Sequence, residues 1–191
     1  MSYKIAISGK ANSGKNTLAE IIKQCISGTF LNLSFAKPIK KIAKQMFPHI
    51  PNEYLFGSSS LRSSIIDNAL KDNNPLTIRQ LLIDIGENAK IYNKNIWVDH
   101  FNKIYNEYCK ENLYKTIVVT DLRFTNEYVN LKNLDFFKIR LKRDDYTKIN
   151  HSSETEQDQI WDSEFDVIIY NNGSLEDLTN EFRQIQHLIK P

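Results

Sequence analysis

The chain has 191 residues, enough for one core or for one core with an inserted lobe. Its 25 Lys and Arg side chains against 23 Asp and Glu leave a net charge of +2, a balance that argues against a nucleic-acid scaffold held by bulk charge. No apolar run approaches the roughly 18 residues of a membrane helix, the N-terminus carries no charged-then-apolar secretory signal, and Cys25 and Cys109 lie far apart in helical patterns, as reduced core residues of a cytosolic protein do.

Residues 4–8, with the apolar run Ile5-Ala6-Ile7, read as a buried strand. Gly9-Lys10-Ala11-Asn12-Ser13-Gly14-Lys15-Asn16-Thr17 follows, and residues 15–26 then place Leu18, Ile21, Ile22 and Cys25 at helical spacing. Strand, glycine-rich loop and helix together make the context of a phosphate-binding loop. The two glycines let the backbone bend so that its N–H groups point inward at phosphate oxygens. The helix N-terminus adds partial positive charge at the same spot, and Lys15 is placed to reach the β- and γ-phosphates. Such loops usually carry Ser or Thr after the lysine as the hydroxyl on Mg²⁺. Here Asn16 stands in that place and Thr17 one later, so Asn16 is expected either to cap the helix or to touch the metal through water.

Gly28 marks the exit of that helix, and the alternation of Leu31-Asn32-Leu33-Ser34-Phe35 predicts a short second strand. Pro38 opens a helix with Ile39, Ile42, Ala43 and Met46 on one face and Lys40, Lys41 and Lys44 off it. Ser58-Ser59-Ser60 reads as a loop, residues 61–71 admit a helix, and Asn73-Asn74-Pro75 reads as a turn. Thr77 caps the next helix, for which Gly86 is the expected C-terminal stop. Residues 97–110 form another amphipathic helix through Val98, Phe101, Ile104, Tyr105 and Tyr108. The middle section is thus expected to be wholly helical, a lobe grafted onto an α/β core.

Thr116-Ile117-Val118-Val119-Thr120-Asp121 is a β-branched run without alternation, the pattern of a parallel strand buried on both faces. Residues 136–141 and 165–170 are further strands, Asn172-Gly173 a turn, and Leu175, Leu178, Phe182, Ile185 and Leu188 a terminal helix. The alternation predicts a doubly wound, mostly parallel sheet, in which ligands sit beyond the carboxyl ends of the strands. The phosphate loop, Ser34-Phe35, Asp121 to Arg123 and Lys142-Arg143 all fall at that edge.

Asp121 there suits Mg²⁺ held through water, or a second substrate's hydroxyl; pairing with Arg123 is the plainer alternative. Arg123 suits the charge of a moving phosphoryl group. Arg79, Arg62 and Lys40 are candidates to clamp the phosphate of a second substrate, Arg79 foremost because its helix is otherwise apolar. The polar stretch from Lys142 to Asp162, with mixed charges and few apolar anchors, is expected to be a mobile flap that excludes water. His151 and Glu154 lie in it, and no histidine has metal-site spacing. Trp97 is expected in the core, with stacking on a base as its alternative.

Several segments together resemble the bacteriophage deoxynucleoside monophosphate kinases. They are Ser8-Gly9-Lys10 with Ser13-Gly14-Lys15-Asn16-Thr17, Phe35-Ala36-Lys37-Pro38-Ile39-Lys40, Ile78-Arg79-Gln80-Leu81-Leu82 with Ile85-Gly86 and Trp97-Val98, Thr120-Asp121-Leu122-Arg123-Phe124 with Glu127, His151-Ser152-Ser153-Glu154, and Asn171-Asn172-Gly173-Ser174-Leu175-Glu176-Asp177-Leu178. They cover nearly the whole chain in the family's order. The resemblance implies a single domain of the three-layer P-loop kinase fold: a core over about 1–38 and 114–191, a helical monophosphate-binding lobe over about 39–113, and a short lid over about 142–162.

It also implies transfer of a phosphoryl group from ATP to a deoxynucleoside monophosphate with Mg²⁺, for which Asn16 and Asp121 are the candidate ligands. Lys10, Ala11, Ser13, Gly14, Lys15, Asn16 and Thr17 fall on the ATP phosphates, Lys10 facing the acceptor as well. Lys40, Arg62, Arg79, Gly86, Glu87, Trp97, Asp121, Arg123 and Glu127 fall on the monophosphate pocket. Lys15, Arg123 and a lid cation, Arg143 or Lys142, fall on the transferred group. The family usually has Asp where Asn16 stands, and an Asp-Arg-Glu piece where Leu61-Arg62-Ser63 stands; the middle section is short beside some members.

A kinase of another phosphorylated acceptor, as in the animal phosphomevalonate kinases that share the phosphate loop and the strand-end Asp-x-Arg, is the nearest alternative. A nucleotide-dependent binding module is another, and near-neutral charge without a basic, aromatic stripe counts against a nucleic-acid end kinase. The expected partners are ATP and the monophosphate, with a second copy of the chain as the open case. Nucleic acid and membrane are not expected, and the expected location is cytoplasmic, in the host if the source is a virus.

Overall fold

In the computed structural model, which describes residues 2–111, 116–144 and 156–190, the chain runs β1 (Tyr3–Ser8), α1 (Lys15–Cys25), β2 (Phe30–Leu33), α2 (Lys37–Met46), α3 (Asn52–Phe56), β3 (Ile65–Lys71), β4 (Asn74–Thr77), α4 (Ile78–Tyr92), α5 (Ile96–Glu111), β5 (Thr116–Leu122), α6 (Thr125–Asn133), β6 (Phe137–Lys142), β7 (Val167–Tyr170) and α7 (Leu175–Ile185). It divides into two compact units, Met1–Ser34 with Phe101–Pro191, and Phe35–His100.

In the first unit the apolar runs become inner strands. Among the described residues five strands form one sheet in the order β2-β5-β1-β6-β7, every pair parallel. The middle strand is β1, so the loop leaving it has the carboxyl ends of β5 and β6 on either side. Ile5 lies opposite Val118, Ile7 opposite Ile139 and Leu141 opposite Ile169. Those side chains form one buried cluster with Leu18 and Ile22 of α1 and Leu178 and Phe182 of α7. The pleat sends alternate residues the other way. On β6 these are cations, Lys138 and Arg140, both buried. Lys138 pairs with Asp166 at 2.8 Å, and the Arg140 guanidinium stacks 4.3 Å from the centroid of the Phe165 ring. A buried cation is tolerable only with such partners.

The second unit is not wholly helical, as the sequence led us to expect. Residues 61–71, read as a helix, give a 3₁₀ turn over Ser59–Ser63 and then β3, which pairs antiparallel with β4. The turn is Asp72-Asn73, one residue earlier than expected, with Lys71 opposite Asn74. Both turn residues are left-handed, with φ of 51° and 63°, the geometry whose twist matches a two-residue hairpin. The strand signal was hidden by a bulge: the register shifts between Ile65 and Leu70, and Asn68 is left-handed. The buried positions therefore fall at Ile66 and Ala69 instead of every second residue. These two, with Leu76, Ala43, Leu55, Ile78 and Leu81, form the core of this unit.

Two further expectations are corrected. Gly86 does not stop α4, which runs on to Tyr92. It is a helix-interior glycine, where a Cβ would come within van der Waals contact, 3.4 Å, of Cδ1 of Ile39 on α2. Cys109 is exposed near the end of α5, not part of the core, while Cys25 is half-buried; neither forms a disulfide. No helix among the described residues is long and apolar enough to cross a membrane.

Phe182→Ala removes a fully buried ring and is expected to cost ~3–5 kcal/mol in urea unfolding. Leu70→Ala, at an exposed hairpin position, is expected to stay within ~0.5 kcal/mol.

Candidate active site

The loop between β1 and α1 has the geometry of an anion cradle. Gly14, left-handed with φ 98°, is the N-cap of α1; no side chain caps this end and no acid stands in its first turn. The amides of an uncapped helix start favour an anion. Of the two roles that the sequence left open for Asn16, the N-cap is excluded; Asn16 lies inside the first turn and is exposed, as is Thr17. Ala11 and Ser13 are buried. The Ser13 N–H donates to the Lys10 carbonyl at 3.2 Å, tightening the bend. Nζ of Lys15 donates to the carbonyls of Gly9 at 2.7 Å and Lys10 at 2.6 Å, which folds it back over the loop.

Both loop glycines are forced by close approach. A Cβ on Gly9 would stand 2.4 Å from the carbonyl oxygen of Leu141, and one on Gly14 would stand 2.4 Å from Nδ2 of Asn171. Asn171 is buried and donates to the Ser13 carbonyl at 2.8 Å. Beside the loop a groove of about 390 Å³ is lined by Asn16, Thr17, Glu20 and Ile21 of α1 and by Leu175 and Thr179 of α7.

At the end of β5, Asp121 accepts the Ser34 hydroxyl at 2.7 Å. Glu127, one turn into α6, is buried, and one of its carboxyl oxygens accepts the backbone N–H groups of Arg123 at 2.8 Å and Phe124 at 3.0 Å. It thus fixes the backbone from which Arg123 extends. Burial, and secondarily the charge of Asp121, push its pKa up to about 8, against the pull of the two amides and of Arg123.

At the end of β6, Lys142 pairs with Asp162 and lies 6.0 Å from the centroid of the Tyr170 ring. Arg143 is exposed beside Asp144, whose N–H and carboxylate bond the Asn172 side chain. Residues 145–155, with His151 and Glu154, lie outside the described residues. The end of the expected flap is anchored: Gln157 and Ile160 are buried, Arg140 donates to both of their carbonyls at 3.0 and 2.8 Å, and Asp158 pairs with Lys10 at 2.6 Å. Gln157 also donates to the Gly9 carbonyl at 3.2 Å. Gln157 and Arg140 carried no site signal in the sequence. Asn171 stood in a motif without a role.

The remaining candidates stand on the second unit. Arg79, in the first turn of α4, donates to the Ser59 carbonyl at 3.1 Å. Ser59 opens the 3₁₀ turn that also carries Arg62, so the two arginines share one neighbourhood. Lys40 on α2 lies 5.8 Å from the centroid of the Phe56 ring. Trp97 is in the core, as base rates had it, and donates to the Gly86 carbonyl at 3.0 Å. Glu87 is exposed and pairs with Lys90 at 3.1 Å.

The raised pKa of Glu127 means that the folded state holds this proton more tightly than the unfolded chain, whose value is 4.5. Its contribution to stability is fully present below that value and is lost as pH rises toward about 8. Glu127→Gln keeps the acceptor oxygen without the charge. Urea unfolding at pH 5 and pH 8 should show the wild type losing stability relative to this variant by on the order of 2 kcal/mol.

A family model described as deoxynucleotide monophosphate kinase matches residues 52–182. A protein of Acanthamoeba polyphaga mimivirus that carries the provisional name deoxynucleotide monophosphate kinase is 27% identical over 187 residues, 93% of this chain and 92% of its own. Two solved structures share the fold. One is an unliganded sugar kinase from Janibacter sp. HTCC2649 (TM-score 0.52, 13% identity, covering 98% of this chain and 95% of that one). The other is TT1252 from Thermus thermophilus (TM-score 0.53, 12% identity, covering 100% and 99%). With more than half of its length matched by the family model, this α/β chain belongs to the deoxynucleotide monophosphate kinase family.

Proposed function

We propose that the protein transfers the γ-phosphoryl group of ATP to a deoxynucleoside monophosphate, giving ADP and the deoxynucleoside diphosphate. The observation that carries this reading is the uncapped start of α1 with Lys15 folded over the loop before it. The family supplies the acceptor class. Phosphoryl transfer needs no covalent protein intermediate, so catalysis is positioning and charge stabilisation.

Lys15 and the amides of Gly14, Asn16 and Thr17 take the β- and γ-phosphates, with Lys10, Ala11 and Ser13 shaping the bend. The groove of Ile21 and Leu175 offers the donor's base an apolar floor. Arg123, set by Glu127, offsets charge on the moving group together with Arg143. Lys40, Arg62 and Arg79 grip the acceptor phosphate, and Trp97, through Gly86, keeps α4 in place beneath them. Among the described residues no cluster of three or more His, Cys, Asp or Glu could hold a metal ion alone. Mg²⁺ keeps most of its waters and binds through one or two protein oxygens and the substrate phosphates, a demand that one carboxylate and one amide oxygen can meet. Asp121, hydrogen-bonded to Ser34, and Asn16 would hold it, and its charge would offset that of the phosphates.

A coupled assay of ADP release with ATP and each of the four deoxynucleoside monophosphates and the matching ribonucleotides tests the reading. Turnover is expected only when a monophosphate is added; equal rates with ATP alone would show a hydrolytic module instead. Lys15→Ala should lower kcat about a hundredfold or more while the thermal unfolding profile stays cooperative. Arg79→Ala should raise the acceptor's KM about tenfold and leave the KM for ATP near wild type.

A further inference from the structure

We infer that Gln157 is a positioning residue, whose side-chain amide holds the Gly9 carbonyl so that Lys15 can leave it for a phosphate; this rests on the reading of the loop as an ATP site. Lys15 donates to two loop carbonyls, and each has a second donor. The Lys10 carbonyl also accepts the Ser13 N–H, a bond made within the loop. The Gly9 carbonyl also accepts Nε2 of Gln157, which lies 148 residues away in the chain.

When Lys15 turns to a phosphate, both carbonyls lose it together. A carbonyl left without a donor in the interior pays its full desolvation cost, and that cost would be charged against ATP binding. The Lys10 carbonyl is covered by its own turn. Gly9 is covered only if Gln157 stays in place.

Gln157 is built to stay. It is 1% exposed. Its own carbonyl and that of Ile160 are both held by Arg140, which is fixed in β6 and stacked on Phe165. The next residue, Asp158, pairs with Lys10 of the loop. An apolar side chain of the same length would fill this buried position without the penalty of burying an amide. The amide therefore answers to the carbonyl it touches.

A brace and a stand-in donor differ in a measurable way. If the two donors share one carbonyl, either alone suffices in the nucleotide-free protein, and only loss of both strands it. Thermal unfolding of wild type, Gln157→Met, Lys15→Ala and the double variant, all without nucleotide, reads that coupling. The double variant should melt about 4 °C or more below the sum of the single shifts. Calorimetric titration should show ATP binding to Gln157→Met about tenfold more weakly than to wild type. The monophosphate's Kd should change less than about twofold.

Strictly additive melting shifts overturn the inference. So does wild-type ATP affinity in Gln157→Met, or a single Gln157→Met that unfolds as readily as the double. A wild-type protein that binds no ATP would bring down the kinase reading, and this inference with it, even where the nucleotide-free coupling persists; additive shifts beside normal ATP turnover bring down the inference alone.

Discussion

A peptide's N–H and C=O point in roughly opposite directions, so a bend that gathers amides around an anion must dispose of its carbonyls elsewhere. That constraint organises the first unit. The Gly9 carbonyl is met by Gln157 and the Ser13 carbonyl by Asn171, side chains from the far end of the sequence. Glycine is called for at both ends of the bend: at position 9 a Cβ would meet the Leu141 carbonyl of β6, and at position 14, where φ is 98°, it would meet the Asn171 amide. The spacing of the two glycines thus reflects the neighbours of the loop as much as its own curvature.

The sheet order makes such bracing available. Because β1 lies between β5 and β6, its exit loop receives props from the β6 side and acidic chemistry from the β5 side. Asp121 with Ser34 and Glu127 beneath Arg123 stand on that second side. Glu127 illustrates how burial sets a role. Held in the interior beside another carboxylate, it sits at a pKa of about 8 and serves as an acceptor for backbone amides. On β6 the pleat turns two cations inward, and Arg140 uses its burial to tie down the segment that carries Gln157.

The second unit solves a different problem, presenting cations from short elements. Its core is small, built from α2, α3, the β3–β4 hairpin and α4. Arg79 is directed by a bond to the turn that carries Arg62. The apolar cluster that Ala43 of α2 shares with Ile78 and Leu81, and the bond from Trp97 to the Gly86 carbonyl, fix α4 against its neighbours.

The sequence alone determined what local rules govern. Unbroken apolar runs gave the inner parallel strands, the glycine and lysine spacing gave the candidate phosphate loop, Pro38 and Thr77 gave helix starts, and the strand-end residues Asp121 and Arg123 gave the candidate chemistry. It misread Gly86 as a stop, because a glycine inside a helix looks in sequence like one that ends it. It missed the hairpin, because the bulge at Asn68 breaks the alternation by which strands are recognised. Only the tertiary structure decided which donors meet the loop's carbonyls: Gln157 and Asn171 are ordinary polar residues until the sheet brings them 148 and 158 positions back along the chain. Likewise Glu127 is an unremarkable carboxylate in a list of residues, and becomes a buried acceptor because folding removes the water around it.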